Sequence, residues 1–213
     1  MLEKTYEDKT IQLYLGDSLE ADLLIIPKSC QGIYFTPYAP KNLDTHYPDM
    51  KYQNYLDMVI SKFSGMLTDT GHFCVCCLPY EKTDLAKAFV AAGFQYAQEY
   101  AIDVDKLNEK TSMTATNTYK KNFYIVFSKV KLPGVLNPSD WHPKELLRQI
   151  VFLLTREGDL IFHPFMNTAK PVRISFELGR RCIGISDAQD FCDIAAKRLT
   201  DQDTEERFSR GLK

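Results

Sequence analysis

Apolar and polar positions change their period several times along this chain, and each change marks an element. Thr10–Leu15 alternates, as a strand at the edge of a sheet does. Asp22–Ile26 carries an unbroken apolar run, Leu23-Leu24-Ile25-Ile26, the pattern of a strand buried on both faces. Residues 27–50 follow, with four prolines (Pro27, Pro37, Pro40, Pro48) and several tyrosines, and are expected to form a long loop. Tyr55, Val59, Phe63 and Met66 recur at helical spacing within Tyr52–Met66; Thr70-Gly71 ends that segment, and His72–Leu78 is again strand-like. Lys82–Ala92 predicts a helix stopped by Gly93, then a strand from Phe94 to Val104. The polar, threonine-rich stretch over 106–121 predicts a second loop. Asn122–Val130 predicts a strand, Pro133–Pro143 a connector, and Lys144–Leu154 a helix with Leu146, Leu147, Ile150 and Leu154 inward.

From Glu157 to Leu199 the pattern is strand, turn, helix, strand, helix, the nucleotide-binding half of a doubly wound α/β domain. In that architecture the turn after the first strand approaches a ligand closely and is rich in glycine. Here it is His163-Pro164-Phe165-Met166-Asn167-Thr168-Ala169, with no glycine. The scaffold signal is present and the chemistry signal is missing. With no repeats and no boundary in composition, residues 1–213 are expected to form one domain that ends in a flexible tail over 200–213.

Bulk properties add little until they are resolved along the chain. A hydrophobic share of 45% and a charged share of 25% are ordinary for a globular protein. Nothing resembles a signal peptide, and no stretch nears the roughly 18 apolar residues of a membrane span. Cys30, Cys74, Cys76, Cys77, Cys182 and Cys192 lie in apolar segments, as reduced core thiols of a cytoplasmic protein do. The three clustered cysteines point to opposite faces of a strand, so no metal is expected. The net charge is −2, yet residues 1–109 hold 9 basic against 16 acidic side chains, and residues 110–181 hold 12 against 5. That basic middle suits either a nucleic-acid backbone or an internal charge balance.

Across about residues 10 to 199 the order of motifs resembles the amino-group DNA methyltransferases, which methylate adenine N6 or cytosine N4. The likeness is to the permuted, beta-type subclass, in which the catalytic motif precedes the cofactor motif. It is carried by Leu15-Gly16-Asp17-Ser18, by Leu67 to Val75, by His142-Pro143-Lys144-Glu145-Leu146-Leu147, and by Gly158-Asp159, Pro164-Phe165 and Leu178-Gly179-Arg180-Arg181-Cys182-Ile183-Gly184-Ile185. The resemblance implies a Rossmann-like class I methyltransferase fold: a mixed, mostly parallel sheet flanked by helices.

The functional positions depart from that pattern. The family's Asp-Pro-Pro-Tyr quartet follows a buried strand, and its aromatic ring stacks on a flipped base. Placed after Asp22–Ile26, the matching residues are Pro27, Lys28, Ser29 and Cys30. Phe35-Thr36-Pro37-Tyr38 keeps a Pro-Tyr pair, but using it lengthens the distance from strand to site. In the cofactor motif the acid is replaced by His163, ahead of Phe165, and the glycines by Asn167 and Ala169. The ribose-holding acid is replaced by Ser186, and the lysine of a Lys-Pro pair by His142. Asp187 is adjacent to Ser186, but one step along a strand reverses the face. His163 is expected to be a satisfied structural histidine. These losses imply no catalytic residues and no bound cofactor; S-adenosylmethionine is expected only if the chain is an active enzyme with substituted motifs. The leading expectation is an inactive homologue serving as a structural, regulatory or nucleic-acid-positioning subunit. It would dimerise with itself or with an active methyltransferase, in the setting of restriction-modification, and contact DNA. Lys120, Lys121, Arg173, Arg180 and Arg181 are the candidate nucleic-acid contacts. A stand-alone nucleic-acid-binding module is the third reading.

Overall fold

The computed structural model describes residues 1–103, 121–132, 145–166 and 170–200. Eight strands make one sheet: β1 (Glu3–Glu7), β2 (Ile11–Leu15), β3 (Cys30–Phe35), β4 (Leu67–Cys77), β5 (Gln95–Asp103), β6 (Lys121–Ser128), β7 (Leu160–His163) and β8 (Arg181–Ser186). Their order across the sheet is β1-β2-β8-β7-β3-β4-β6-β5. The five central strands, β2 to β4, are parallel; β1 and β6 run against their neighbours. The described helices are α1 (Leu43–His46), α2 (Tyr52–Ser64), α3 (Lys82–Ala91), α4 (Leu146–Leu154), α5 (Lys170–Glu177) and α6 (Gln189–Thr200). The fold is the mixed, mostly parallel α/β sheet that the sequence predicts.

Both faces of the sheet are covered, which is why its central strands can be apolar on every residue. On one face Ile33, Phe35, Phe73, Val75 and Phe162 pack against Tyr55, Val59, Phe63 of α2 and Leu85, Phe89 of α3. On the other, Tyr34, Cys74, Val126 and Ile161 meet Leu147, Ile150 and Val151 of α4 and Ile174 of α5. Cys182, Ile11 and Leu13 meet Cys192, Ala195 and Leu199 of α6. Cys74 and Cys77 therefore serve opposite cores, and all six cysteines are free.

One strand is not where the apolar pattern predicts it. The Asp22–Ile26 run is no strand: Ser18–Leu23 is a 3-10 helix, and Leu23 and Ile26 are 74% and 73% exposed. The cause is local. The Asp17 carboxylate accepts from the Leu19 amide at 2.9 Å, an N-cap that commits the chain to a helical turn before the apolar run begins. The turn then buries Leu19, Ala21 and Ile25 on one side only. The strand lies later, at Cys30–Phe35, inside the expected 27–50 loop. Gly32 weakens its sequence signal, yet the position has no room for more: a Cβ there would sit 2.6 Å from Cε2 of Tyr34 and 3.3 Å from Cε1 of His72.

The β2 strand is not at the edge, because β1 pairs outside it. Thr70-Gly71 lies within β4 and does not end the preceding helix, which stops at Ser64. The Pro133–Pro143 connector lies outside the described residues, and the other predicted elements stand within a few residues of their places. Most of the 106–121 loop and nearly all of the 200–213 tail lie outside the described residues.

Candidate functional site

In an open parallel sheet, ligands bind beyond the carboxyl ends of the strands, where the order reverses. Here that point lies between β7 and β3, which pair through Ile33 and Phe162. Thr36-Pro37-Tyr38 leaves β3 there and His163-Pro164-Phe165 ends β7 there, so the two segments meet. Asp17 follows β2 and Asp187 follows β8, and these ends are adjacent because Leu15 pairs with Ser186.

The aromatic residues of these segments close the crevice on themselves. The Phe165 ring lies 6.0 Å from Phe35, 5.0 Å from Tyr38, 6.2 Å from Tyr55 and 6.0 Å from Phe63, centroid to centroid. Its backbone has φ +55°, a left-handed conformation that glycine adopts without strain and phenylalanine does not. Its amide donates to Ser18 Oγ at 3.0 Å, and the Met166 amide to the Ile185 carbonyl at 2.7 Å. The turn is thus fastened to the ends of β2 and β8.

Tyr38 completes the closure. Its hydroxyl donates to Asp187 Oδ2 at 2.6 Å, its amide donates to Tyr55 Oη at 3.2 Å, and its ring stacks on His46 at 3.8 Å and 14°. His46 Nδ1 lies 2.9 Å from the same Asp187 oxygen. Tyr47 Oη donates to Asp17 Oδ1 at 3.1 Å. Burial first, and the neighbouring carboxylates second, hold both phenols far above their ordinary pKa, so each remains a donor. Among the described residues a cavity of about 90 Å³ opens at the switch point, bordered by Thr36, Cys76, Tyr124, His163, Phe165 and Lys170.

The sequence-predicted positions scatter. Pro27, Lys28, Ser29 and Cys30 precede β3 and lie at its amino end, across the sheet from the crevice. Lys28 pairs with Asp69 at 3.0 Å, Ser29 Oγ donates to the Ile26 carbonyl at 2.6 Å, and burial pushes the Cys30 thiol up to about 12. Their placement as the residues following the buried strand is overturned, because that strand is Cys30–Phe35. Phe35 ends that strand and Thr36-Pro37-Tyr38 follows it directly, so no lengthened distance separates them from it.

His163 is 2% exposed, with Nδ1 at 3.3 Å from the Tyr34 carbonyl and Nε2 at 3.0 Å from Ser175 Oγ. Burial lowers its pKa to about 4, so it is a neutral, fully engaged core histidine. Ser186 is buried, and its Oγ accepts from the Ala188 amide at 3.3 Å. The alternation argument against Asp187 does not apply, because β8 has already ended and the carboxylate turns toward Tyr38 and His46. Of the remaining positions, Phe165 is in the crevice, while His142, Asn167 and Ala169 lie outside the described residues.

Among the described residues the candidate nucleic-acid contacts Arg173, Arg180 and Arg181 do not form one surface. Arg180 is 6% exposed and inward: Nε donates to Thr155 Oγ1 at 3.0 Å and Nη2 to the Thr155 carbonyl at 2.7 Å, and it also holds the Leu178 carbonyl. It closes the end of α4 and is withdrawn as a contact. Arg173 is tied to Glu177 at 2.8 Å, and Glu177 also takes Arg148 at 2.6 Å. Arg181 is exposed but starts β8, at the edge opposite the crevice, and its Nε donates to the Gly158 carbonyl at 2.9 Å. Lys121 begins β6, which runs against β4, so its backbone is at the crevice edge. Its side chain and the whole of Lys120 lie outside the described residues.

Of the crevice residues, the sequence reading named Tyr38 and Asp187 but set both aside, named Asp17 only as part of a motif, and missed His46. The available signal was the retained Pro37-Tyr38 pair.

Among the described residues no three His, Cys, Asp or Glu side chains are set to hold a metal, and no helix is long and apolar enough to cross a membrane.

Comparison with known proteins bears on the fold. No family model matches the chain. A stretch of 57 residues is 40% identical to the type II methyltransferase M2.DpnII of Streptococcus pneumoniae, covering 27% of this chain and 21% of that protein. The orphan methyltransferase M.BamHII of Bacillus amyloliquefaciens is 32% identical over 57 residues, 27% of this chain and 22% of its own length. The matched stretch thus spans about a fifth of these curated relatives. The fold likeness is far wider. The PvuII cytosine-N4-specific DNA methyltransferase superposes with a TM-score of 0.69 at 15% identity, over 96% of this chain and 93% of that one. M1.HpyAVI, in complex with S-adenosylmethionine, does so at 0.65 and 16%, over 89% and 99%. The chain thus shares the fold of these solved proteins over most of its length and, over 57 residues, a sequence match with the curated methyltransferases.

Proposed function

We propose that this chain is a methyltransferase-fold protein that does not transfer methyl groups and acts as a structural, regulatory or nucleic-acid-positioning subunit. The observation that carries the reading is the position of Tyr38. It is the aromatic of the quartet after β3, where the family's ring stacks on a flipped base. Here it is turned inward on Phe165 and His46 and bonded to Asp187. The quartet's acid, which would orient the target amino group, is replaced by Phe35, 6% exposed and packed on Phe63 and Phe73. A phenyl ring has no acceptor for an amino hydrogen and takes no proton.

S-adenosylmethionine does not fit the crevice as it is folded. Its ribose would need hydroxyl acceptors at the ends of β2 and β8, and the Asp17 and Asp187 carboxylates already take Tyr47 and Tyr38. Its adenosine would need the space that the Tyr38, His46 and Phe165 rings fill. We therefore route no step through the cofactor. A partner that is itself an active methyltransferase, or a second copy of this chain, suits a protein that keeps the family scaffold and not its chemistry.

One observation favours the alternative of an active enzyme. Phe35-Thr36-Pro37-Tyr38 lies where the family quartet lies, at the carboxyl end of β3, and keeps its second proline and its aromatic while Phe35 replaces the acid and Thr36 the first proline. Calorimetric titration with S-adenosylmethionine and S-adenosylhomocysteine, followed by a methyl-transfer assay on DNA, separates the two. The non-catalytic reading expects no transfer; transfer of radiolabelled methyl groups to DNA by the purified chain would sink it.

A further inference from the structure

The inner side of α6 is accounted for: Cys192, Ala195 and Leu199 are buried against Ile11, Leu13 and Cys182 of the sheet. The outer side is not. Phe191 and Ile194, three residues apart and so on one helical face, are 37% and 41% exposed. The charges around them are ordered along the axis. Exposed Asp190 and Asp193 stand in the first half of the helix, and exposed Lys197 and Arg198 in its last turn. Each charge sits where the helix dipole favours it, and together they give the face a direction.

The chain leaves this helix at Thr200, and residues 201–213 lie beyond the described residues. Their sequence carries the signals of a second short helix. Asp203 followed three residues on by Glu206 is a start signal, and Gly211 is a stop signal. Residues 201–203 then have the length that joins two antiparallel helices.

We propose that residues 201–213 fold back antiparallel on α6 and cover Phe191 and Ile194 with Phe208 and Leu212. Reach sets the register. At about 1.5 Å per residue, Ile194 and Phe191 lie about 9 and about 14 Å back along α6 from Thr200. On a segment returning from Asp203, Phe208 and Leu212 lie about 8 and about 14 Å along. Charge sets the direction. An antiparallel segment brings Glu205 and Glu206 beside Lys197 and Arg198, and Arg210 and Lys213 beside Asp193 and Asp190. A parallel one would set acid against acid and base against base. The outer face of α6 is thereby occupied by the chain itself and is not where a second copy or a methyltransferase partner docks. The inference stands whether or not the chain transfers methyl groups.

Amide hydrogen exchange of the full chain tests it, with a synthetic peptide of residues 201–213 giving the rate of the undocked segment. Residues 204–210 are expected to exchange at least about tenfold more slowly in the chain than in the peptide. Phe208→Asp, which changes no residue of the described fold, should return them to the peptide rate, and Ile194→Asp should do the same from the other side. Exchange at the peptide rate in the unmodified chain overturns the proposal, and so does protection that survives Phe208→Asp. Protection over α6 that rises with protein concentration, alongside a dimer in sedimentation velocity, overturns it in favour of a second copy.

Discussion

Arg180 and Arg181 are neighbours in the sequence and opposites in the structure. Arg181 reaches along the protein surface to the Gly158 carbonyl, while Arg180 is buried against the end of α4. A helix end leaves carbonyls without intrahelical partners, and the Arg180 guanidinium supplies donors in a fixed fork that meets several at once. Removing it leaves those carbonyls buried and unpaired. Arg180→Ala is therefore expected to lower unfolding free energy by about 2–4 kcal/mol, read from urea denaturation. Arg180→Lys should recover only part of that, because one ammonium cannot span the same acceptors. Neither change should alter the salt dependence of DNA binding, if the chain binds DNA, since the side chain never reaches a phosphate.

At the scale of elements, β3 decides both the fold and the site. Gly32→Ala would place a methyl group 2.6 Å from the ring of Tyr34, which is 2% exposed and cannot swing away. A loss of about 1–3 kcal/mol is expected from over-packing. Gly65→Ala is the control: its nearest neighbour would be 3.9 Å away and its φ is −67°, so thermal melts should show it neutral or slightly stabilised. The same glycine explains what the sequence conceals. Elements whose period is set by their own residues, such as α2 with Tyr55, Val59 and Phe63, are legible from the chain alone. Leu23-Leu24-Ile25-Ile26 is the louder apolar run, but the Asp17 cap diverts it into a turn, and Cys30–Phe35, interrupted by Gln31 and Gly32, is the strand. Misplacing that strand displaced the quartet to Pro27–Cys30. The β7-turn-α5-β8 order was legible because it is continuous in sequence. The pairing of Tyr38 with Asp187 joins residues 149 apart, and no local pattern announces it.

For the whole molecule, the buried polar chain through the middle of the sheet sets the response to acid. His72, on β4, has Nε2 at 2.6 Å from Tyr34 Oη, and His163, on β7, reaches the Tyr34 carbonyl and Ser175. Both are almost wholly buried, at 1% and 2% exposure, and burial lowers their pKa values to about 3 and about 4. Both histidines are therefore neutral in the folded protein, whereas in the unfolded chain they take protons below about 6.5. The unfolded state binds the extra protons, so stability falls as pH falls from about 6.5 toward the folded values, and it is unaffected above that range. Each unit of pH well inside this window removes about 1.4 kcal/mol per histidine, or about 2.7 kcal/mol for the pair. Against a total of about 5–15 kcal/mol for a domain, that is a large fraction by pH 5. Glu7, held below its ordinary value by the Lys4 hydrogen bond, sheds its contribution only as pH falls below about 4.5, so it does not mask the effect. Urea denaturation at a series of pH values between 7.5 and 5 should thus show a plateau and then a steep decline. In His72→Gln the slope of the declining limb should halve, whatever that substitution does to stability at pH 7.5. A slope that the substitution leaves unchanged would place the acid sensitivity elsewhere than in the Tyr34 chain.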